Sequence, residues 1–373
     1  MSRIVQLANF VTPTSGGLRT TLAHLAAGYD AAGHDVVQVV PGPVDATTVH
    51  PWGRQVQLRA PEVPGTGYRV HPDPRRVTAV LTSLGPDRVE VHDRTTLRGV
   101  GRWARAQGVP SLVVSHERLD RWLRQWLSPR LPLDAVADRS NAALADAYDV
   151  VVCTTAWAEQ EFSRLGIEHV RRVPLGVDLI GFTDQPAAPP SAGLRLVLAS
   201  RLSKEKRPDL AVAATAELAR RGHEVRLRVA GSGPLAASLR AGSLTAPVDW
   251  LGHVPGRDRM ADLLRSADVV LAPGPVETFG LAALEALACG TPVVANVHSA
   301  LPEVLGQAGR ASASTPRSFA DAVEALLLVP AKERRARARA RAEQFPWSTT
   351  VEGFLRAHRL AVGATRPAAT TRP

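Results

Sequence analysis

Glu277 and Glu285 lie eight residues apart in GPVETFGLAALEALACGTPVV (274–294), a run otherwise apolar or small. Carboxylates in such a run are costly unless something pairs with them. DVVLAPG (268–274) reads as a strand, PVETFG as a loop and LAALEALACG as a helix ending at Gly290. Glu277 thus falls in the loop at the strand's carboxyl end, and Phe279, Gly280 and Leu281 form the helix start. A helix start presents N–H groups and a positive dipole end, a ready anion site. Gly280 allows close approach to the backbone. Glu285, about one and a half turns inside, can accept hydrogen bonds from hydroxyls. The plainer alternatives are a carboxylate that steadies the helix dipole and a solvated helix face. The two glutamates do not decide between these readings by themselves.

A second cluster follows another strand. In ASRLSKEKRPD (199–209), Arg201 stands at the strand end, with Lys204 and Lys206 in the next loop. The chain has only three lysines, and the third is Lys332. A loop lysine beyond a strand end suits a point contact to phosphate; the alternative is a solvated turn. His116 ends the strand SLVVSH (111–116), and ERLDRWLRQWLSPR (117–130) then fits helical spacing. Leu119, Trp122, Leu123, Trp126 and Leu127 share one face, while Arg118, Arg121 and Arg124 lie off it. That pattern describes either a membrane-interface helix or a core-facing amphipathic helix.

These residues need a frame that brings strand ends together. IVQLANF (4–10), HDVVQVV (34–40), RVEVH (88–92), SLVVSH and DVVVCTT (149–155) read as strands separated by helical patterns. After a proline-rich stretch the alternation restarts with RLVLAS (195–200), EVRLRVAG (224–231), VDWLGHV (248–254), DVVLAPG and TPVVAN (291–296). Strands alternating with helices mean βαβ units and parallel sheets, whose ligands bind beyond the strands' carboxyl ends. The class is α/β, with two Rossmann-like doubly wound domains facing a central cleft. The expected boundaries are 1–178, a linker at 179–193, and 194–345. AKERRARARARAEQF (331–345) reads as a basic solvated helix, and 362–373 as a disordered tail.

Composition narrows the classes. The chain has 373 residues and a net charge of +10, which permits an anionic partner. Aromatics are 5% of residues, which argues against a nucleic-acid stacking surface. No window is apolar enough to span a membrane, and the start lacks a signal-peptide pattern. Two cysteines, Cys153 and Cys289, suit a reducing cytosol. PTSGGL at the first turn is not the G-x-G-x-x-G of dinucleotide oxidoreductases.

Taken together, SRLSKEKRPDLAV and PVETFGLAALEALACGTPVV resemble the signature segments of retaining glycosyltransferases of the GT-B fold, family 4, the second being its E-x7-E motif. SGG (15–17), AGSGPL (230–235) and LGHV (251–254) extend the resemblance over nearly the whole chain. It implies that Arg201 and Lys206 bind the donor's diphosphate, with Phe279 and Gly280 offering backbone amides to the distal phosphate. Glu277 matches the glutamate on the donor sugar, Glu285 the one on the ribose, and His116 the histidine facing the reacting sugar. Gly16 and Gly17 match the glycine loop over the donor phosphates. A helix at 346–361 is expected to return to the first domain.

VQLANFVTPTSGGLRT, VEVHDRTTLRGVGRWAR and VSHERLDRW resemble the actinobacterial GDP-mannose-dependent phosphatidylinositol (dimannoside) α-mannosyltransferases. This implies mannose transfer from GDP-mannose to a phosphatidylinositol mannoside in α linkage, of the α-1,6 type. Asn9, Arg19 and Arg118 are then acceptor-side candidates. NVHSALPEV (296–304) departs from the wider family, which has Gly-Gly before Pro-Glu, and leaves the sugar less determined than the reaction class. The alternatives are UDP-glucose or UDP-N-acetylglucosamine as donor, a soluble acceptor, or a nucleotide-sugar-binding protein with an inactive site. The sequence has no Asp-x-Asp pair, so neither metal nor cofactor is expected. The expected partners are a nucleotide-sugar donor and a lipid at the inner membrane face, with no nucleic acid. The expected state is a cytoplasmic monomer held peripherally on the cytoplasmic face of the plasma membrane.

Overall fold

The computed structural model describes residues 1–11, 16–64, 67–128, 130–185, 193–242 and 246–361. The chain divides into two compact units, Met1–Leu175 with the chain from Trp347, and Gly176–Pro346.

The first unit is built on β1 (Arg3–Leu7), β2 (Asp35–Gly42), β3 (Ala46–His50), β4 (Gly53–Arg59), β5 (Arg88–Val91), β6 (Ser111–Ser115), β7 (Val150–Cys153) and β8 (Val170–Arg172). They form one sheet in the order β3-β4-β2-β1-β5-β6-β7-β8. The pairs are parallel except β3 with β4. Val5, Leu7, Val89, Val91 and Val113 pack on one face. Ile4, Val36, Leu112 and Val114 pack on the other, under Leu25 and Tyr29 of the helix Gly17–Ala31 and Phe354 of the helix Trp347–Ala357. Burial on both faces is why these strands read as near-continuous apolar runs. Strand order reverses between β1 and β5, so the loops after them flank the switch point where such sheets receive ligands.

The second unit contains β9 (Leu194–Ala199), β10 (Val225–Ala230), β11 (Val248–Gly252), β12 (Val269–Ala272), β13 (Val293–Asn296) and β14 (Gly309–Ser312). All are parallel, in the order β11-β10-β9-β12-β13-β14. The reversal here lies between β9 and β12. The loops that follow them are those carrying Arg201 and Lys206 on one side and Glu277 on the other.

Four strands were not expected from the sequence. β3 and β4 carry ATTVH and GRQVQLR, and β8 and β14 are only VRR and GRAS. Their apolar content is too low to signal burial; backbone pairing with a neighbour makes them strands. The basic helix, observed as Ala331–Ala342, is not merely solvated. Its Arg339 donates to the carbonyls of Phe182 and Ala288 at 2.9 Å, and Arg335 to that of Cys289 at 3.0 Å. Ala288 ends the helix Leu281–Ala288, so these guanidiniums supply cations at its negative end. Of the expected linker, 179–185 is held to the second unit by Arg339 and by Asp178, which accepts from the backbone of Ile180 and Gly181. The rest of it, up to residue 192, and the tail 362–373 lie outside the described residues.

Candidate active site

In the second unit three loops are knitted together by backbone hydrogen bonds. Ser200 N–H donates to Ala230 at 3.1 Å, Leu202 to Ser232 at 2.9 Å and Gly231 to Gly252 at 2.7 Å. A Cβ on Gly231 would stand 1.9 Å from the Ser200 carbonyl oxygen, at a φ of +149°. Only glycine permits that approach. Across the switch point, the Lys206 ammonium pairs with the Glu277 carboxylate, both half-buried. The structure therefore brings together two of the residues singled out from sequence, 71 positions apart.

The helix Leu281–Ala288 begins beside them without a side-chain cap, with Gly280 at φ +82°. A Cβ at Gly280 would lie 2.3 Å from Leu301 Cδ2, a side-chain tip that would have to shift, and the positive φ is what favours glycine. The Phe279 ring is buried, meeting Phe345 edge-on at 6.0 Å, which leaves its backbone for the loop. Ala300 N–H ties the next loop to the Glu277 carbonyl at 2.8 Å. Glu285 is half-buried. Burial pushes its carboxyl up to about 7; Arg257 opposes this and Asp178 adds to it. A desolvated carboxylate of this kind gains from hydroxyl donors.

In the first unit, Gly16 and Gly17 are exposed at the start of the helix Gly17–Ala31. Among the described residues nothing lies within 4 Å of a Cβ built on Gly16, so they do not demand glycine there. Arg19, two residues beyond Gly17, is exposed. Asn9 is corrected as an acceptor-side candidate. It is fully buried, accepting from His71 N–H at 2.9 Å and donating to Thr96 at 2.8 Å, and so pins loops. Arg118 is corrected likewise. It is 6% exposed, paired with Asp120 at 2.7 Å and stacked 4.5 Å over Trp157.

The helix after His116 is shorter than expected, Leu119–Trp126, and its only buried residue is Asp120. Glu161 receives the Asp120 N–H at 2.8 Å, and Arg94 reaches the Glu117 carbonyl at 3.0 Å. Buried charges thus anchor the loop, while Trp122 and Trp126 are 45% and 53% exposed. The stripe is not core.

His116 sits just past β6, its Nε2 2.8 Å from His92 Nδ1. Burial, and secondly His92, pull its pKa down to about 3, against an opposing Glu90. Glu90 is fully buried and accepts from Gln6 (2.6 Å), Tyr29 (2.7 Å), His92 (2.7 Å) and His358 (2.9 Å). Burial alone would raise its carboxyl, but the hydrogen bonds from His358 and His92 hold it well below the usual carboxylate range. Sequence reading passed over this group. The available signal was a glutamate and a histidine two apart in RVEVH, a strand otherwise fit for burial.

The comparisons with known proteins bear on this arrangement. The family described as Glycosyl transferases group 1 matches residues 184–345, and the Glycosyl transferase 4-like domain matches 16–177. The chain is 44% identical over 363 residues, 95% of each chain, to a Mycobacterium tuberculosis GDP-mannose-dependent alpha-(1-6)-phosphatidylinositol dimannoside mannosyltransferase. The chain is a member of the glycosyltransferases. A Kineococcus radiotolerans D-inositol 3-phosphate glycosyltransferase is 38% identical over 224 residues, 51% of each chain. Among solved structures, a sucrose-phosphate synthase from Thermosynechococcus elongatus superposes with a TM-score of 0.79 at 21% identity, covering 96% of this chain and 98% of that one. The fold of this glycosyltransferase is GT-B.

Proposed function

We propose that this glycosyltransferase moves mannose from GDP-mannose to a phosphatidylinositol mannoside, retaining the α configuration in a 1,6 linkage. The identity of 44% over 95% of the chain carries the reading, because it spans the acceptor-side unit as well as the donor-side one.

Arg201, Lys206 and the uncapped helix start after Phe279 and Gly280 take the diphosphate. Negative charge grows there as the sugar–phosphate bond breaks, and donors already aimed at it lower the barrier. Glu277 takes hydroxyls of the donor sugar, exchanging part of its Lys206 pairing for them. Glu285 accepts from the ribose, Gly16 and Gly17 close over the phosphates, and His116 meets the reacting sugar. Arg19 remains the acceptor-side candidate. The charge is met by cationic side chains and backbone amides, so the reaction proceeds without metal. No carboxylate nucleophile is assigned; the acceptor attacks on the face the diphosphate leaves, and the phosphate assists its deprotonation.

The lipid acceptor is reached from the cytoplasmic membrane surface by a monomer. Exposed Trp122, Trp126 and Leu127 beside the exposed Arg121 support interfacial docking. Among the described residues no helix is long and apolar enough to cross a membrane. The test is a donor screen by thermal shift, followed by product analysis with GDP-mannose and phosphatidylinositol dimannoside in vesicles. A mannosylated lipid with the α-1,6 linkage is expected. Transfer from a UDP-sugar only, or to inositol phosphate only, overturns the reading.

A further inference from the structure

One carboxylate of the first unit is neither buried nor answered. Glu117 follows His116, between β6 and the helix Leu119–Trp126. Its main chain is held: the carbonyl accepts from Arg94 at 3.0 Å and from the Ser115 hydroxyl at 3.1 Å. Its side chain is exposed, and among the described residues its carboxylate has no hydrogen bond and no ion pair. The cations around it are spent elsewhere. Arg94 also donates to Asn141 and lies 3.6 Å from Glu161, and Arg118 is paired with Asp120.

Solvent touches Glu117, yet the mass of protein around it desolvates the carboxyl and raises its pKa; Arg94 opposes this, and Asp93 and Glu161 add to it. Such a group gains from hydroxyl donors. While ionised it only accepts, which suits the hydroxyls of a sugar ring. It is also a poor neighbour for a second anion, because like charges a few ångströms apart repel, the more so where water is scarce. The lipid acceptor and its rival, inositol phosphate, differ on this point. In a phosphatidylinositol mannoside the attacked hydroxyl belongs to a mannose, and the phosphate lies at least one ring away. In inositol phosphate both groups sit on one ring.

We propose that Glu117 is a specificity-determining residue: its carboxylate accepts hydrogen bonds from hydroxyls of the acceptor mannose beside His116 and disfavours an acceptor with phosphate on the attacked ring. This deepens the acceptor reading given above and rests on the placement of His116 at the reacting centre. A fixed main chain with a spare side chain carries it, since among the described residues nothing requires a carboxylate at this position.

The test uses the full chain with deacylated phosphatidylinositol dimannoside, a soluble acceptor that removes any contribution from membrane docking. Glu117→Ala is expected to raise the acceptor KM roughly 10–100-fold, the scale of a lost hydrogen bond to a charged group, with KM for GDP-mannose within about twofold. Glu117→Gln keeps the shape and one acceptor oxygen but not the charge. It is expected to bind myo-inositol phosphate several-fold more tightly than wild type in calorimetry, a gain that shrinks as salt rises. A merely structural role does not separate the two acceptors in this way. Both variants should melt at or above the wild-type temperature, because the carboxylate has no partner to lose. Wild-type acceptor KM in Glu117→Ala, or myo-inositol phosphate bound no better by Glu117→Gln, overturns the proposal. Wild type inactive on the dimannoside, deacylated and in vesicles alike, is a different failure. It removes the acceptor reading, and the mannose contact with it, while the calorimetric arm, which needs no turnover, still decides whether Glu117 repels phosphate.

Discussion

The two units handle charge in opposite ways. In the first, charges beneath the candidate site are sunk and answered: Glu90 by four donors, and Arg118 by Asp120 and Trp157. In the second, Lys206 and Glu277 are half-buried, Glu285 is desolvated, and the helix start at Gly280 has no side-chain cap. Satisfied buried networks rigidify and specify a structure. Half-buried cations on loops beside a helix start without a side-chain cap instead suit an anion. The first unit therefore holds one imidazole in place, and the second is arranged to receive a charged ligand.

The strongest way to break this contrast is to remove the receiving charges. Lys206→Ala and Arg201→Ala should each lower kcat by about two or more orders of magnitude, the scale of losing a key transition-state donor. Their melting curves should stay close to wild type, because both residues are half-buried in loops. Near-normal turnover in either variant removes the diphosphate assignment.

Stability should respond with opposite signs in the two units. Tyr29→Phe deletes a hydrogen bond to a buried carboxylate and should cost about 1.5–3 kcal/mol in denaturant unfolding. Glu285→Gln should stabilise at pH 8. The folded-state pKa of Glu285, about 7, lies above the unfolded value of about 4.3. The folded state thus holds the proton more tightly, and its stability falls as pH rises from about 4 to 7. The gain at pH 8 should be on the order of 3 kcal/mol by linkage and vanish near pH 4. A Gln variant equally stable, relative to wild type, at both pH values contradicts the desolvated carboxyl.

Donor binding sharpens the same point. Ribose hydroxyls favour the ionised carboxylate, so GDP-mannose should bind several-fold more tightly as pH rises from 6 to 8. Glu285→Gln should flatten that profile in calorimetry.

On the membrane side, Arg121→Ser should weaken sedimentation with anionic vesicles by about 1 kcal/mol, roughly fivefold. Arg118 is buried and is no headgroup ligand. Vesicle affinity unchanged in both Arg121→Ser and a Trp122→Ser/Trp126→Ser double variant removes this helix as the anchor. The smallest expected effect is that of EDTA, which should leave turnover unaltered; loss restored by Mg²⁺ or Mn²⁺ contradicts the metal-free reading.

Much of the fold was legible because parallel strands buried on both faces announce themselves as apolar runs. VVQVV, SLVVS and RLVLA needed no context. GRQVQLR and GRAS did, because only a partner strand makes them strands. The donor-side residues were legible for a related reason. Lys206, Glu277 and Gly280 sit in loops at strand ends, where an odd residue type stands out against its neighbours.

By itself, then, the sequence determined the alternation of strands and helices, the loops that carry chemistry and the family. Those features are local, written in period and residue type. Tertiary structure alone decided which polar residues face ligand and which face each other. Asn9, Arg118 and His92 are all polar residues at or just past strand ends, yet all three are buried and spent on internal hydrogen bonds. Glu90 is answered by β1, by the first helix and by His358, 268 residues further on. Those partners meet because the sheet order sets β1 beside β5 and two distant helices cover the same face. Linear spacing does not encode that adjacency.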